Sequence, residues 1–421
     1  MANDKDFVVA GAVEVGKDTK VTLGTVTSNN IDLATGNYFA DTPTGASTYT
    51  ISNAGDVQSF QLEVTGGTAE VAQNFSTTLY TGTGTTQTIT NNIDLAGDGG
   101  IVWVKCRSDT ADHRLIDTDG GANNILTPNN TSAYFNNSTI FSSFNSDGFS
   151  VATDVATNGS GRTYVSWTFK KEPSFFDVVT YTGTGGLTQT INHNLGSTPG
   201  TIIVKRTDGV GNWAVYHRSL GATKYLELED TAAAATNSTF WYDTEPTSTQ
   251  FTVGNDSSVN NSGYTYVAYL FAHDDAADGL IQCGSFVNDA SSVNVEVNLG
   301  WKPQWLLIKG SSGSGLGHWY IYDNARTGNI LSPNQSAAES ADTSFELTAN
   351  GFTPTTNFNG TLIYIAIRAA SDLDLTWPSS IEWAGGIAPS APATGETDVY
   401  TLVTDDGGTS YVGVKTADNL S

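Results

Sequence analysis

Acid–base, nucleophilic and metal chemistry all need ionisable groups in a fixed pattern. The chain offers five histidines, His113, His193, His217, His273 and His318, and two cysteines, Cys106 and Cys283. Their spacing makes no motif. A Ser-His-Asp set or a metal triad would have to draw on unrelated positions, and two cysteines make no disulfide framework. Paired carboxylates occur in Asp117-Thr-Asp119-Gly120-Gly121 and in Asp405-Asp406-Gly407-Gly408. Calcium asks for six to eight oxygens, and neither stretch has the spacing or terminal glutamate of a calcium loop. Asp-Gly-Gly reads as a tight turn. The expectation is no enzyme, no catalytic residue, no metal and no cofactor.

Recognition chemistry is better represented. Trp213 and Tyr216 lie three residues apart, as do Trp319 and Tyr322. In a strand, residues three apart face opposite ways, so one ring of each pair is expected in the core while the other is free to face out. An exposed ring beside Asn and Asp side chains suits a sugar, because its CH groups stack on the ring while polar groups fix the hydroxyls. These four residues are the candidate glycan platform, against the alternative that all are packed. Lys105, Lys205 and Lys309 each end an apolar run. They are expected to reach solvent at a strand end or to pair with an acid such as Asp117 or Asp323; the alternative is ligand contact.

The elements that must position these residues recur along the chain. YTGTG occurs at Tyr80–Gly84 and again at Tyr181–Gly185. The segments NNIDLAGDGGIVWVK, INHNLGSTPGTIIVK and VEVNLGWKPQWLLIK end at the three lysines, with Leu95, Leu195 and Leu299 at the same offset. Each copy closes on an apolar strand, RTYVSWTF, YTYVAYLF or LIYIAIRA, which superposes Tyr164, Tyr266 and Tyr364. On this alignment His217 falls where the sister copies have Asp117 and Asp323. A period of about 100 residues is too long for a solenoid coil and fits a domain copied in tandem. YTGTG reads as the end of a first strand and the turn after it, with glycine supplying positive φ; the third copy has CGSFVNDAS instead.

The fold expected is all-β: three tandem antiparallel β-sandwich or jelly-roll-like modules, 74–172, 173–275 and 276–370. They are inserted in a split β-domain formed by 1–73 plus 371–421, since neither end alone is large enough for a good core. Helix is expected to be minor, because no long segment keeps a 3.6-residue apolar spacing.

Charge narrows the partners. The 421 residues carry a formal net charge of −25 with 18 Lys and Arg, which disfavours nucleic acid and an anionic membrane surface. No apolar run is long enough to span a membrane as a helix. The opening, MANDKDFVVAGAVEVG, has no basic region before its apolar stretch and does not read as a secretory signal, so synthesis in a cytoplasm is expected.

The segments TGNYF, VQSFQLEVTGG, LTWPSSIEW and GETDVYTLVTDDGGTSYVG resemble a small β-module of virion proteins of tailed phages, especially marine cyanobacterial ones. The opening is similar to the start of tail-fibre and appendage proteins of such phages. The internal copies, with NLG, GF and YVAY, resemble an uncharacterised repeat common in them. The resemblance implies a non-enzymatic structural protein exposed on the particle, as a tail fibre, appendage or capsid decoration. Its expected location is the virion and its expected partners are other virion proteins. A homo-oligomer is implied, a trimer if it is a fibre, with host cell-surface glycan as a possible contact. The alternatives are a glycan-binding adhesion protein outside a virion and a glycan-degrading enzyme.

Overall fold

Runs such as Gly100–Cys106 (GIVWVKC) and Thr163–Lys170 (TYVSWTFK), rich in β-branched and aromatic residues, form the strands of an all-β chain. A computed structural model describes residues 30–41, 47–55, 58–65, 70–276, 279–313, 317–369, 375–386, 388–389 and 397–420, together with 8–9, 13–14 and 26. Among these, α-helix is confined to Glu70–Asn74, Val155–Asn158, Ser238–Trp241 and Ser257–Asn260. Most of the opening stretch MANDKDFVVAGAVEVG lies outside the described residues.

The chain divides into two compact units, Met1–Glu70 with Ala370–Ser421, and Val71–Ala369. In the first, strands from the two ends of the sequence share one five-stranded sheet. Thr397–Thr404 runs antiparallel to Gln58–Thr65, while Tyr38–Asp41 and Ile381–Trp383 join in parallel. Phe39, Phe60, Leu62, Tyr400 and Leu402 form its core.

The second unit holds the three copies. Each builds a principal antiparallel sheet in the same strand order. In the first copy the order is Arg114–Asp117, Gly100–Cys106, Thr163–Lys170 and Phe75–Thr81. Trp213–His217, Thr201–Arg206, Thr265–Phe271 and Phe176–Thr182 repeat it in the second. The third has Trp319–Asp323, Pro303–Gly313, Gly360–Arg368 and Ile281–Asn288. A smaller sheet covers the outer face of each: in the first copy Ile89, Phe141, Phe149 and Val151 pack on Val102, Val104 and Tyr164.

The inner faces pack on one another. Phe169 of the first copy touches Phe271 of the second at 5.6 Å and Trp305 of the third at 5.5 Å, both edge-on. One continuous core runs through Trp103, Trp167, Tyr269, Leu307 and Ile365 of the three copies. The copies are therefore sandwich modules that share a core: modules 1 and 3 each keep a second cluster of their own, while the buried apolar residues of module 2 all belong to the common one. A domain copied in tandem would keep its own core in every copy, and the shared cluster departs from that.

Loops lock the arrangement in cyclic order. Tyr134 N–H of module 1 donates to Thr207 O of module 2 at 3.0 Å, and Ala234 N–H of module 2 donates to Ser311 O of module 3 at 3.0 Å. Glu339 N–H of module 3 closes the ring on Arg107 O of module 1 at 2.9 Å. The result is a pseudo-threefold body made from one chain.

Candidate functional site

The repeated YTGTG is a structural latch. Tyr80 stacks on Tyr164 and Tyr181 on Tyr266, each pair at 5.1 Å, and their hydroxyls donate to Thr157 O and Val259 O. Asn158 and Asn260, both fully buried, accept from Thr83 N–H and Thr184 N–H and donate back to nearby carbonyls. Gly84 and Gly185 do take positive φ, 75° and 67°. Gly82 and Gly183 serve differently: an added Cβ would sit 2.4 Å from Gly159 O or 2.3 Å from Asn261 O, so the close approach requires glycine.

The candidate glycan platform is not there. Trp213, Tyr216, Trp319 and Tyr322 are 0%, 2%, 2% and 4% exposed. Their alternation is as expected: Trp213 and Trp319 face inward, Tyr216 and Tyr322 outward. Both faces are covered, the outer by the module's own small sheet and the inner by the neighbouring modules. Trp213 Nε1 donates to Asn130 O of module 1 at 3.0 Å, and Trp319 Nε1 to Glu227 O of module 2 at 2.9 Å. His113 stands at the same position in module 1 and its Nε2 donates to Ser332 O of module 3 at 3.0 Å. Its Nδ1 accepts from Trp103 Nε1, so the ring is neutral, and burial holds its pKa well below the usual histidine range. Tyr216 and Tyr322 give their hydroxyls to Glu245 and Asp342.

The three lysines are corrected in the same way. Lys105, Lys205 and Lys309 are fully buried and pair with neither Asp117 nor Asp323. Lys205 Nζ donates to Arg206 O and Gly211 O at 2.9 Å and to Thr131 O of module 1 at 3.1 Å. Lys309 Nζ donates to Gly317 O and to Thr231 O of module 2, the latter at 2.9 Å. Lys105 Nζ donates to Cys106 O at 2.7 Å. Backbone carbonyls accept the ammonium hydrogen bonds, and for Lys205 and Lys309 one of those carbonyls belongs to the neighbouring module. Burial pushes all three pKa values down to about 8.

Asp117, His217 and Asp323 occupy one position and bridge one interface each. Asp117 Oδ2 accepts from Tyr134 and from Tyr269 of module 2, at 2.7 and 2.8 Å. Burial raises its pKa despite these bonds. His217 Nε2 donates to Tyr364 O of module 3 at 3.1 Å, and burial lowers its pKa to about 4. Asp323 Oδ2 accepts from Trp167 Nε1 of module 1 at 2.9 Å and from Arg326 Nε at 2.8 Å. Glu339 accepts from Arg107 of module 1 and lies 3.5 Å from Arg326. Burial opposes its ionisation, yet the Arg107 hydrogen bond and the two guanidinium charges lower its pKa.

Each Asp-Gly-Gly stretch forms a turn held by a carboxylate oxygen. Asp117 Oδ1 accepts from Gly120 N–H. Asp406 accepts from Thr404 Oγ1, Thr409 N–H, Ser410 N–H and Ser410 Oγ, which holds its pKa down to about 2. Among the described residues, no three His, Cys, Asp or Glu side chains gather as a metal site.

The sequence reading missed Asn158, Asn260, Tyr134, Arg326 and Glu339. The readable signal lay in GIVWVKC and TIIVK, where both strand faces are apolar, as expected of strands covered on both sides. Module 3 also carries a cleft of about 430 Å³ whose lining includes Tyr322, Asp323, Arg326, Phe345 and Leu347.

A family model described as a domain of unknown function, DUF7483, matches residues 70–369. No curated protein matches the chain.

Proposed function

From the premise that the chain belongs to the DUF7483 family, we propose that it is a non-enzymatic structural protein exposed on the surface of a phage particle, as a fibre-like appendage or a capsid decoration. The observation that carries this reading is the closed ring of modules. Lys205, Lys309, His113, His217, Asp117 and Asp323, all buried, are spent in bonds that hold one module to the next. Buried groups spent in this way serve stability and specificity of assembly. The resemblance of the repeats and of the paired end segments to virion proteins supports the same reading. A net charge of −25 and a polar surface suit display in salt water, where screening tempers self-repulsion.

The partners are other virion proteins. Symmetric assemblies make a homo-oligomer the expected state on the particle. The pseudo-threefold body already supplies within one chain what three subunits would supply to a trimeric fibre. This reading implies synthesis in the host cytoplasm and residence in the virion.

Imaging of intact particles from a phage encoding this chain tests the proposal. The expected density is a compact three-lobed body repeated on the capsid lattice or at the tail. Purified particles that lack the protein by mass spectrometry would end the virion reading and leave an adhesion protein as the second choice.

A further inference from the structure

Each module sends a strap of chain across to the next, and each strap is pinned at its root to one backbone N–H. In module 1 His113 N–H donates to Asn129 Oδ1 at 3.1 Å, and in module 3 Trp319 N–H donates to Asn334 Oδ1 at 3.3 Å. In module 2 the matching donor is Trp213 N–H, and its acceptor is Glu229 Oε2 at 3.0 Å. The two amides are satisfied on their other side as well. Asn129 Nδ2 donates to Asp112 Oδ1 at 2.8 Å, and Asn334 Nδ2 donates to His318 Nδ1 at 3.0 Å. Glu229 Oε1, in contrast, is buried without a hydrogen-bond partner. A neutral amide pins two of the straps, and a titratable carboxyl pins the third.

The strap around Glu229 is what module 2 uses to hold module 3. Glu227 O accepts from Trp319 Nε1 and Thr231 O from Lys309 Nζ, each at 2.9 Å, and Ala234 N–H donates to Ser311 O at 3.0 Å. The charged and titratable groups around Glu229 are Lys205 on Thr201–Arg206, Glu227 and Asp230 on the strap, and Lys309 and His318 of module 3. Burial raises the Glu229 pKa from 4.5 to about 7; the Trp213 N–H bond and the Lys205 charge oppose the rise, and Glu227 adds to it. An ionised carboxylate with one oxygen buried and unpaired is costly, and swinging the strap out returns it to water. We propose that Glu229 makes this strap a proton-controlled clasp: with the carboxyl neutral the strap holds module 3, and with it ionised the strap opens into solvent. The raised pKa stabilises the closed form fully below 4.5, and that contribution is lost as pH rises through 7. The joint between modules 2 and 3 is therefore tightest in acid and loosens toward neutrality. The joint between modules 1 and 2, pinned by Asn129, does not follow it.

Hydrogen exchange on the full chain, resolved to single amides and corrected for intrinsic rates, tests the clasp. Ala234 N–H and Tyr134 N–H hold the same place in two straps, donating to Ser311 O and Thr207 O. Protection at Ala234 should fall roughly 50-fold between pH 5 and pH 7.5, the ratio one proton gives when its pKa moves from 4.5 to about 7. Protection at Tyr134 should change less than about threefold over the same range. Glu229→Gln keeps the acceptor for Trp213 N–H and should abolish the fall at Ala234. Glu229→Asn, which copies Asn129 of module 1, replaces that variant if it does not fold. Flat protection at Ala234 in the wild type, an equal fall at Tyr134, or a fall that persists in the folded variant and so belongs to His318 or another group would overturn the proposal. The clasp does not depend on the virion reading, and none of these outcomes bears on it.

Discussion

Replacing Arg326 by Met is the sharpest test of how module 3 is held to module 1. The guanidinium donates from Nε to Asp323 Oδ2 at 2.8 Å, with a second nitrogen at 2.7 Å, and both side chains are fully buried. It also lies 5.2 Å from the Trp167 ring of module 1. Methionine keeps the length and the apolar stem but removes the charge. Asp323 then keeps a buried negative charge with Trp167 Nε1 as its remaining neutral donor. Removing one partner of a buried pair costs about 3–5 kcal/mol, because the other charge is left uncompensated. In a cooperative unit of roughly 300 residues, that corresponds to a fall of about 6 °C in unfolding temperature. Neutralising the second partner should recover most of the loss. In Asp323→Asn with Arg326→Met, Trp167 can still donate to the amide oxygen and no charge is stranded. Urea unfolding followed by tryptophan fluorescence measures all three proteins. A loss below about 1 kcal/mol for the single variant, or a double variant as unstable as the single, would refute the argument.

Three further outcomes follow from the same geometry. The Lys205 pKa falls from 10.5 to about 8 on folding, so its contribution is full above 10.5 and is lost as pH falls through 8. The stability difference between wild type and Lys205→Met should therefore shift in favour of wild type across that window, by at most about 3 kcal/mol, read from urea midpoints. Glu229 moves the other way: burial raises its pKa from 4.5 to about 7, so its contribution is present below 4.5 and lost as pH rises through 7. Glu229→Gln keeps the acceptor for Trp213 N–H, and thermal melts should show it more stable than wild type above about pH 8. Gly183→Ala should cost roughly 1–3 kcal/mol by overpacking against Asn261 O, whereas Gly186→Ala, whose nearest contacts stand at 3.4 Å, should cost less than about 1 kcal/mol by the same chemical denaturation.

Local structure was well marked in the sequence. The β-branched and aromatic runs, the glycine turns of YTGTG and the superposed Leu95, Leu195 and Leu299 all describe features that a short stretch of chain decides for itself. Alternation along Trp213–His217 correctly put Trp213 and Tyr216 on opposite faces. The sharing of one sheet by Gln58–Thr65 and Thr397–Thr404 had its trace in two end pieces each too small for a core.

Tertiary structure decided what each face meets. A period of two says which side chains share a face but is silent on what lies opposite. The same strand-end lysine is solvated in an isolated sandwich and caged by carbonyls when a second module closes over it, as Thr131 does for Lys205 and Thr231 for Lys309. The same tryptophan is a platform or a clamp for the same reason. Likewise Asp117 and Asp323 share one aligned position yet meet different neighbours, two tyrosines in one case and an arginine beside a cleft in the other. Residues far apart in the chain supply those neighbours, so the chemistry of a side chain was set by packing that no local pattern encodes.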